Sequence, residues 1–310
     1  MLPVLTPLRH PRWRLANWRA ALSAGALLRG LLPACCALCG GASDDALCAF
    51  CRSRYCGGPP AYCPRCPRCA NPLAASAHAT AAALTPASAP LRYPASALPD
   101  SAAGGLRAVS RKTGRIAPQS PLCGHCLSTP SAFDATVSAQ EYAAPLDQLV
   151  LQLKFGARLA LAPLMAGMLA EAVLRAATPA DASEGHGGFE LPALLCPVPL
   201  GPRRLAERGF NQALEIARPL ARVLRLPLYP RLACRLRDTA AQSSVAPEQR
   251  RQNIAKAFVL PDPALVRGRH VGIVDDVMTS GQTLDELAAT LKRHGAVRVS
   301  NLVFARTPPH

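Results

Sequence analysis

Acidic side chains are scarce in this chain of 310 residues: 19 Asp and Glu stand against 35 Lys and Arg, a formal net charge of +16. The shortage is sharpest at the start. Residues 1–126 carry 14 basic against 3 acidic groups, +11, whereas residues 127–310 carry 21 against 16, +5. A balance of this kind favours nucleic acid, nucleotides or other anions as partners. Cysteine is nearly missing from the second part: of 13, only Cys196 and Cys234 follow Cys126. Neither stands in a nearby cysteine–histidine pairing, so buried or incidental thiols are expected there, not a covalent nucleophile. The odd total, at repeated two-residue spacing, argues against a disulfide framework and for metal in a reducing compartment, hence a cytoplasmic location. The opening lacks a spanning segment. Residues 20–32 are apolar but too short to cross a bilayer, and Arg29 interrupts them. A short helix packed on the cysteine-rich region is expected there, and no membrane span.

Residues 71–122 are poor in large apolar side chains and rich in Ala, Pro, Ser and Thr, the composition of a disordered insertion. Arg107, Arg111, Lys112 and Arg115 make its second half basic. The expected organisation is a cysteine-rich module over 1–130, containing this insertion, and a second domain over 131–310. In that second part Leu146, Leu149, Val150 and Leu153 share a helical face, and residues 159–174 continue a mostly apolar helical pattern. An apolar run at 194–198, a helix at 212–224, a run at 271–274, a helix at 283–294 and a strand at 297–304 alternate in the manner of an α/β fold with a mainly parallel sheet.

The most informative segment is 271–283, Val-Gly-Ile-Val-Asp-Asp-Val-Met-Thr-Ser-Gly-Gln-Thr. A buried strand delivers Asp275 and Asp276 to the C-terminal edge of a parallel sheet, the edge at which ligands bind in such folds. Carboxylates there can accept hydrogen bonds from ribose hydroxyls or bind magnesium. Thr279, Ser280 and Thr283 supply hydroxyls, Gly281 lets the backbone turn close to a ligand, and Gln282 begins the approach to a helix whose first N–H groups suit a phosphate.

These thirteen residues resemble the phosphoribosyl diphosphate motif of type I phosphoribosyltransferases. The resemblance implies a phosphoribosyltransferase-type mainly parallel sheet flanked by helices, and a second loop for the diphosphate after an earlier strand. Residues Cys196-Pro197-Val198-Pro199-Leu200, Arg203, Arg204 and the block Arg208-Gly209-Phe210-Asn211-Gln212 fit that loop. Together with Gln242 and Arg250-Arg251-Gln252-Asn253 they resemble the ComF family, also called competence protein F or GntX-like, over most of the chain outside the insertion. Arg204, Arg208 and Gln212 align if the stretch is one helix, but Gly209 weakens such a helix and Asn211 can cap a new one. Arg204 and Arg208 can clamp a phosphorylated ligand, or make surface pairs with Glu207 and Glu215. Arg237, Gln242, Arg250, Arg251 and Asn253 form a second polar cluster, either a flap over the diphosphate or a nucleic-acid patch.

Cys36-x2-Cys39 and Cys48-x2-Cys51 offer two thiolate pairs suited to a tetrahedral zinc site. The family resemblance favours a second zinc set of Cys66, Cys69, Cys123 and Cys126 across the insertion, while Cys63 and Cys56 offer competing ligands. Two four-thiolate sites would lower the net charge to about +12. Three functions remain open. The first is a ComF-like protein that binds phosphorylated ribose and, as the resemblance implies, single-stranded DNA during DNA uptake and natural transformation, beside a helicase and a recombination mediator. The second is a magnesium-dependent phosphoribosyltransferase with an unknown acceptor and no identifiable general base. The third is a zinc-stabilised protein adaptor.

Overall fold

The structure is a computed structural model that describes residues 35–56, 65–73, 122–178, 189–236 and 257–308. The apolar stretch at 20–32, most of the insertion, residues 179–188 and the cluster from Arg237 to Asn253 lie outside the described residues.

In chain order the elements are α1 (Ala49–Tyr55), α2 (Gly124–Ser128), β1 (Ala135–Glu141), α3 (Asp147–Lys154), α4 (Ala162–Ala177), β2 (Leu194–Pro197), α5 (Pro202–Arg208), α6 (Gln212–Leu224), β3 (Cys234–Arg235), β4 (Phe258–Val259), β5 (His270–Met278), α7 (Gln282–Arg293) and β6 (Arg298–Arg306). Four strands form one sheet in the order β1-β6-β5-β2, every pair parallel, and β3 and β4 make a separate antiparallel pair.

The two central strands read as near-continuous buried runs because helices cover both faces of the sheet. On one side Val274, Leu302 and Phe304 meet Leu149, Val150 and Leu153 of α3, Met165 and Leu169 of α4, and Ile216 and Leu220 of α6. On the other, Val271, Ile273, Val299 and Val303 meet Leu284, Leu287 and Leu291 of α7. Each of these fully buried leucines contributes about 1.5–3 kcal/mol by leaving water. The segment Leu159–Ala177 is long and apolar enough to cross a membrane, yet half of it is buried inside the protein, as befits a core helix.

Helix α6 occupies the span its periodicity predicts. Asn211 caps it, its Oδ1 accepting from the Ala213 and Leu214 amides, and Gly209 with φ +78° ends α5 three residues earlier. The stretch is therefore two helices, not one. Strand β5 runs further than the apolar pattern predicts, through both acids to Met278, and β6 likewise continues to Arg306.

Both cysteine groups share the core of the α/β unit. Cys36, Leu47 and Cys51 join the α3–α4–α6 side, and Cys66, Cys69 and Cys126 join the α7 side with Phe133.

Candidate functional site

Strands β5 and β2 end side by side, with Val274 opposite Pro197 and the Val198 amide donating to the Val274 carbonyl at 2.9 Å. This sets the 199–201 loop next to Asp275. Asn211 fixes that loop from the start of α6, its Nδ2 donating to the Val198 carbonyl at 3.0 Å. Pro199 is half-buried, Arg204 is exposed on α5, and Arg208 is half-buried at the end of α5.

The two acids have different surroundings. Asp276 is buried and its Oδ2 lies 2.6 Å from Nζ of Lys154, the last residue of α3. Asp275 is half-buried, and its Oδ1 accepts the Asp276 amide at 2.9 Å. Burial and the Asp276 carboxylate hold the Asp275 carboxyl well above the usual Asp range, against the opposing pull of Lys154. Nothing in the sequence pattern marks Lys154, which looks like the polar flank of an amphipathic helix. Only the fold brings it 122 positions along the chain to Asp276.

After Met278 the chain turns through Thr279 and Ser280, both exposed, and Gly281, φ +80°, which caps α7 without a side chain. The φ of +80° at Gly281 is one that L side chains rarely adopt, so the turn favours glycine, while a β-carbon there would displace only the flexible end of Met278, 2.6 Å away. Helix α7 begins at Gln282, which places Thr283 inside the first turn, half-buried, and not at the cap. The Gln282 amide points to Ser280 Oγ at 3.5 Å, a weak contact.

This loop is held from below by Arg306. Its buried guanidinium donates to the carbonyls of Met278 at 3.1 Å, Thr279 at 2.5 Å and Thr307 at 2.6 Å, and its Nε donates to the Cys69 carbonyl at 3.0 Å. One side chain thus ties the candidate phosphate loop to a cysteine group.

The arginines next to the loop are placed unevenly. Glu207 pairs with Arg203 and Glu215 with Arg218, each at 2.7 Å. Arg208 instead donates to Gln212 Oε1 at 2.6 Å and covers the ring of Phe155, 5.7 Å from its centroid.

Two sets of four thiols are each compact enough to hold a metal ion: Cys36, Cys39, Cys48, Cys51 and Cys66, Cys69, Cys123, Cys126, with sulfurs within 4.8 Å of one another in each set. The sets are built alike. Each first pair lies on a tight turn closed by an isolated bridge, Cys35 to Ala42 and Arg65 to Pro72, and each second pair opens a short helix, α1 or α2. The Cys51 amide donates to Cys48 Sγ and the Cys123 amide to Cys66 Sγ, both at 3.4 Å. Cys56 stands outside the first set, and Cys63 lies outside the described residues. Burial raises the Cys36 thiol, but backbone N–H groups of Cys39, Cys48 and Leu38 outweigh it and bring it to about 6. Burial and the neighbouring thiols push Cys51 up to about 12. In the second set backbone amides overcome burial to bring Cys66 to about 7, while burial carries Cys69 to about 11. Four thiolates in so small a space repel one another, and a divalent cation with sulfur ligands is the species that relieves them.

A parallel sheet flanked by helices, with two acids at the end of a central strand and a glycine turn into the next helix, defines a phosphoribosyltransferase-type α/β protein. The family described as "Phosphoribosyl transferase domain" matches residues 211–308. The protein belongs to the ComF family: the "DNA utilization protein YhgH" of Escherichia coli strain K12 is 38% identical over 185 residues, 60% of this chain and 78% of the relative. "Competence protein F" of Haemophilus influenzae is 32% identical over 188 residues, 59% of this chain and 78% of that one. Among solved structures, purine phosphoribosyltransferase from Pyrococcus horikoshii aligns with a TM-score of 0.24 at 14% identity, covering 56% of this chain and 88% of that one. Hypoxanthine phosphoribosyltransferase from Trypanosoma cruzi aligns with a TM-score of 0.27 at 14% identity, covering 46% of this chain and 60% of that one, so less than two thirds of the trypanosomal enzyme is matched.

Proposed function

We propose that this protein binds phosphorylated ribose at residues 275–283 and serves in DNA uptake through contact with single-stranded DNA. Asp275 and Asp276 take the sugar hydroxyls or magnesium, Thr279, Ser280, Gly281, Gln282 and Thr283 take the 5-phosphate, and Pro199, Arg204 and Arg208 take the far end of phosphoribosyl diphosphate. The observation that carries this reading is the turn at Gly281, held at a φ of +80° that favours glycine and set between two strand-end acids and a helix start. Residues 1–130 act as the zinc-binding module, with zinc at both thiol sets, and 131–310 as the phosphoribosyltransferase-like domain, in the cytoplasm. The names of the relatives support the DNA role, and a DNA-uptake helicase and a recombination mediator are the expected partners.

Calorimetry with phosphoribosyl diphosphate and magnesium tests the pocket. Asp275→Asn with Asp276→Asn, and separately Gly281→Val, should each weaken binding at least about tenfold, the size of a lost charged hydrogen bond. Unchanged affinity in both, with circular dichroism showing folded protein, rejects the site. The raised Asp275 carboxyl adds a pH dependence. Magnesium binds the carboxylate form, so binding releases a proton and affinity rises with pH until Asp275 is ionised. In the ligand-free protein the sign is opposite. The folded state keeps a proton that the unfolded chain has lost, so stability falls as pH rises from the ordinary Asp range through the raised value. Titrations in two buffers of different ionisation enthalpy read the proton release directly.

For DNA, the basic surface includes Arg218, Arg222 and Arg225, which line a cleft with Leu226, Pro227 and Leu228 at the far end of α6. Binding to an oligothymidylate should weaken with added salt, at a log–log slope of about −0.7 per phosphate neutralised. Arg222→Ala should make that slope shallower. A flat response across the salt series contradicts the electrostatic mechanism.

A further inference from the structure

The end of the sheet opposite the acids carries positive charge that the fold does not use. Strands β2, β5 and β6 begin there, the Ala193 amide donating to the His270 carbonyl at 2.8 Å and the Val297 amide to the Arg269 carbonyl at 3.1 Å. Arg267 and Arg269 flank Gly268, whose φ of +68° turns the chain towards β5 and whose amide donates to the Gly295 carbonyl at 2.8 Å. Helix α6 reaches the same end. It starts beside Asn211, tied to Val198 at the acid end, and its 13 residues carry it about 20 Å towards the start of β2. There the chain runs beside Leu195, whose amide donates to the Pro227 carbonyl at 2.8 Å, and the cleft lined by Arg222 and Arg225 opens, about 480 Å³ in volume. Most other charges at this end have partners. Arg298 pairs with Glu190 at 3.4 Å, Arg293 with Glu286 at 3.3 Å and Lys292 with Asp134 at 2.7 Å, while Asp262 accepts the Ala264 amide at 3.0 Å. Arg222, Arg267 and Arg269 are exposed, and none has a side-chain ion pair or hydrogen bond among the described residues. The dipole of α6 accounts for Arg222 in its last turn, but Arg267 and Arg269 belong to no α-helix.

Guanidinium forks match phosphate oxygens two bonds at a time. Apolar surface lies among them, in Val297, which is 66% exposed, and in Leu226, Pro227 and Leu228 of the cleft, and it suits the sugars and base faces of an unpaired strand. We propose that this end of the sheet, through Arg222, Arg267 and Arg269, binds the phosphate backbone of single-stranded DNA, and that the strand is held together with the phosphorylated ribose and not in its place. The inference rests on the reading of the protein as one that contacts DNA, and it gives that contact a location. Six steps along β5 part Arg269 from Asp275, about 20 Å, which exceeds two Debye lengths of about 8 Å at physiological ionic strength. The acids therefore do not neutralise the arginines, and phosphates at Gly281 do not repel the strand.

The test follows a labelled oligothymidylate by fluorescence anisotropy on the zinc-loaded full chain, across a salt series at fixed magnesium. Replacing Arg222, Arg267 and Arg269 together by Ala should weaken binding at least about tenfold at low salt and flatten the log–log slope by about 2, at about 0.7 per phosphate contact. Because all three side chains are exposed, the core stays intact, and Arg267→Lys with Arg269→Lys should keep most of the slope. Saturating phosphoribosyl diphosphate should change the affinity for the strand by less than about twofold. Arg52→Ala with Arg54→Ala, which removes charge from α1 instead, should leave the slope as it was. An unchanged slope in the triple variant, or the same loss per charge from α1, overturns the face and leaves DNA binding to be placed elsewhere. Displacement of the strand by phosphoribosyl diphosphate overturns simultaneous holding, and displacement by poly-glutamate as readily as by unlabelled oligothymidylate assigns the face to an acidic protein instead. Failure of the wild-type protein to bind the oligothymidylate removes the DNA reading, and the face with it.

Discussion

Arg306→Met should lose the phosphate loop and the second thiol set together. The guanidinium is buried and donates to four backbone carbonyls, those of Cys69, Met278, Thr279 and Thr307. Methionine fills much of the same volume but donates to none of them, so buried acceptors are stranded at a cost on the order of 3 kcal/mol. In a domain of this size that corresponds to a fall in Tm of about 6–12 °C. The loss of stability alone would mark an ordinary core residue. What distinguishes Arg306 is where its bonds go: two carbonyls belong to the turn that precedes Gly281, and one belongs to the thiol knuckle of Cys66 and Cys69. Without it the turn is released from the end of β6, and phosphoribosyl diphosphate should bind at least about tenfold more weakly. Zinc should also leave the second set faster under a chelator, while release from Cys36, Cys39, Cys48 and Cys51 stays as it was. Arg293→Met is the control, because Arg293 is exposed and its pairing with Glu286 is worth little. Normal zinc retention and normal ligand affinity in folded Arg306→Met would show that the two sites are independent.

Some of this architecture is legible in the sequence, for local reasons. Helix α6 is readable to the residue because its cap, its periodicity and the preceding Gly209 all act within one or two turns. The motif at 275–283 is readable because strand, acids, glycine turn and helix start are contiguous. Strand β1 is not. Its inward positions Ala135, Val137 and Ala139 alternate with Thr136, Ser138 and Gln140, and such weak apolarity becomes a strand only by pairing with β6. The ends of β5 and β6 were extended by the same cause: pairing of Asp275 through Met278 with Val303 through Arg306 carries polar residues into the sheet that an apolar-run criterion leaves out. Arg306 itself sits at the end of an apolar strand near the terminus and carries no local sign of a role. Lys154 is similar. Sequence places it on the fringe of a helix, and only the packing of α3 on the β5 side of the sheet brings it to Asp276.

The pairing of Lys154 with Asp276 leads to the second large effect. Lys154→Met should destabilise the protein by on the order of 3 kcal/mol at neutral pH, because it leaves a carboxylate that is 3% exposed without its cation. The lysine is itself 22% exposed, so solvent can reach the vacated position and temper the loss. Two carboxyl groups then face each other alone, and burial already disfavours the charge on Asp275. The pair should take up a proton on folding. A proton held by the folded state and absent from the unfolded one makes stability rise as pH falls, so the deficit of the variant should shrink on acidification towards the range where unfolded aspartate protonates. Magnesium offers the same relief by another route. A divalent ion bound between the acids replaces the missing charge, and the rise in Tm on adding magnesium should be larger in Lys154→Met than in wild type. Lys154→Arg, which keeps the charge, should show neither effect at full size. A merely structural role for the lysine predicts a stability loss that is constant with pH and indifferent to magnesium. Thermal melts across pH, with and without the ion, separate the two, and parallel curves for variant and wild type would sink the assignment of Lys154 as the resident counter-ion of a magnesium and sugar site.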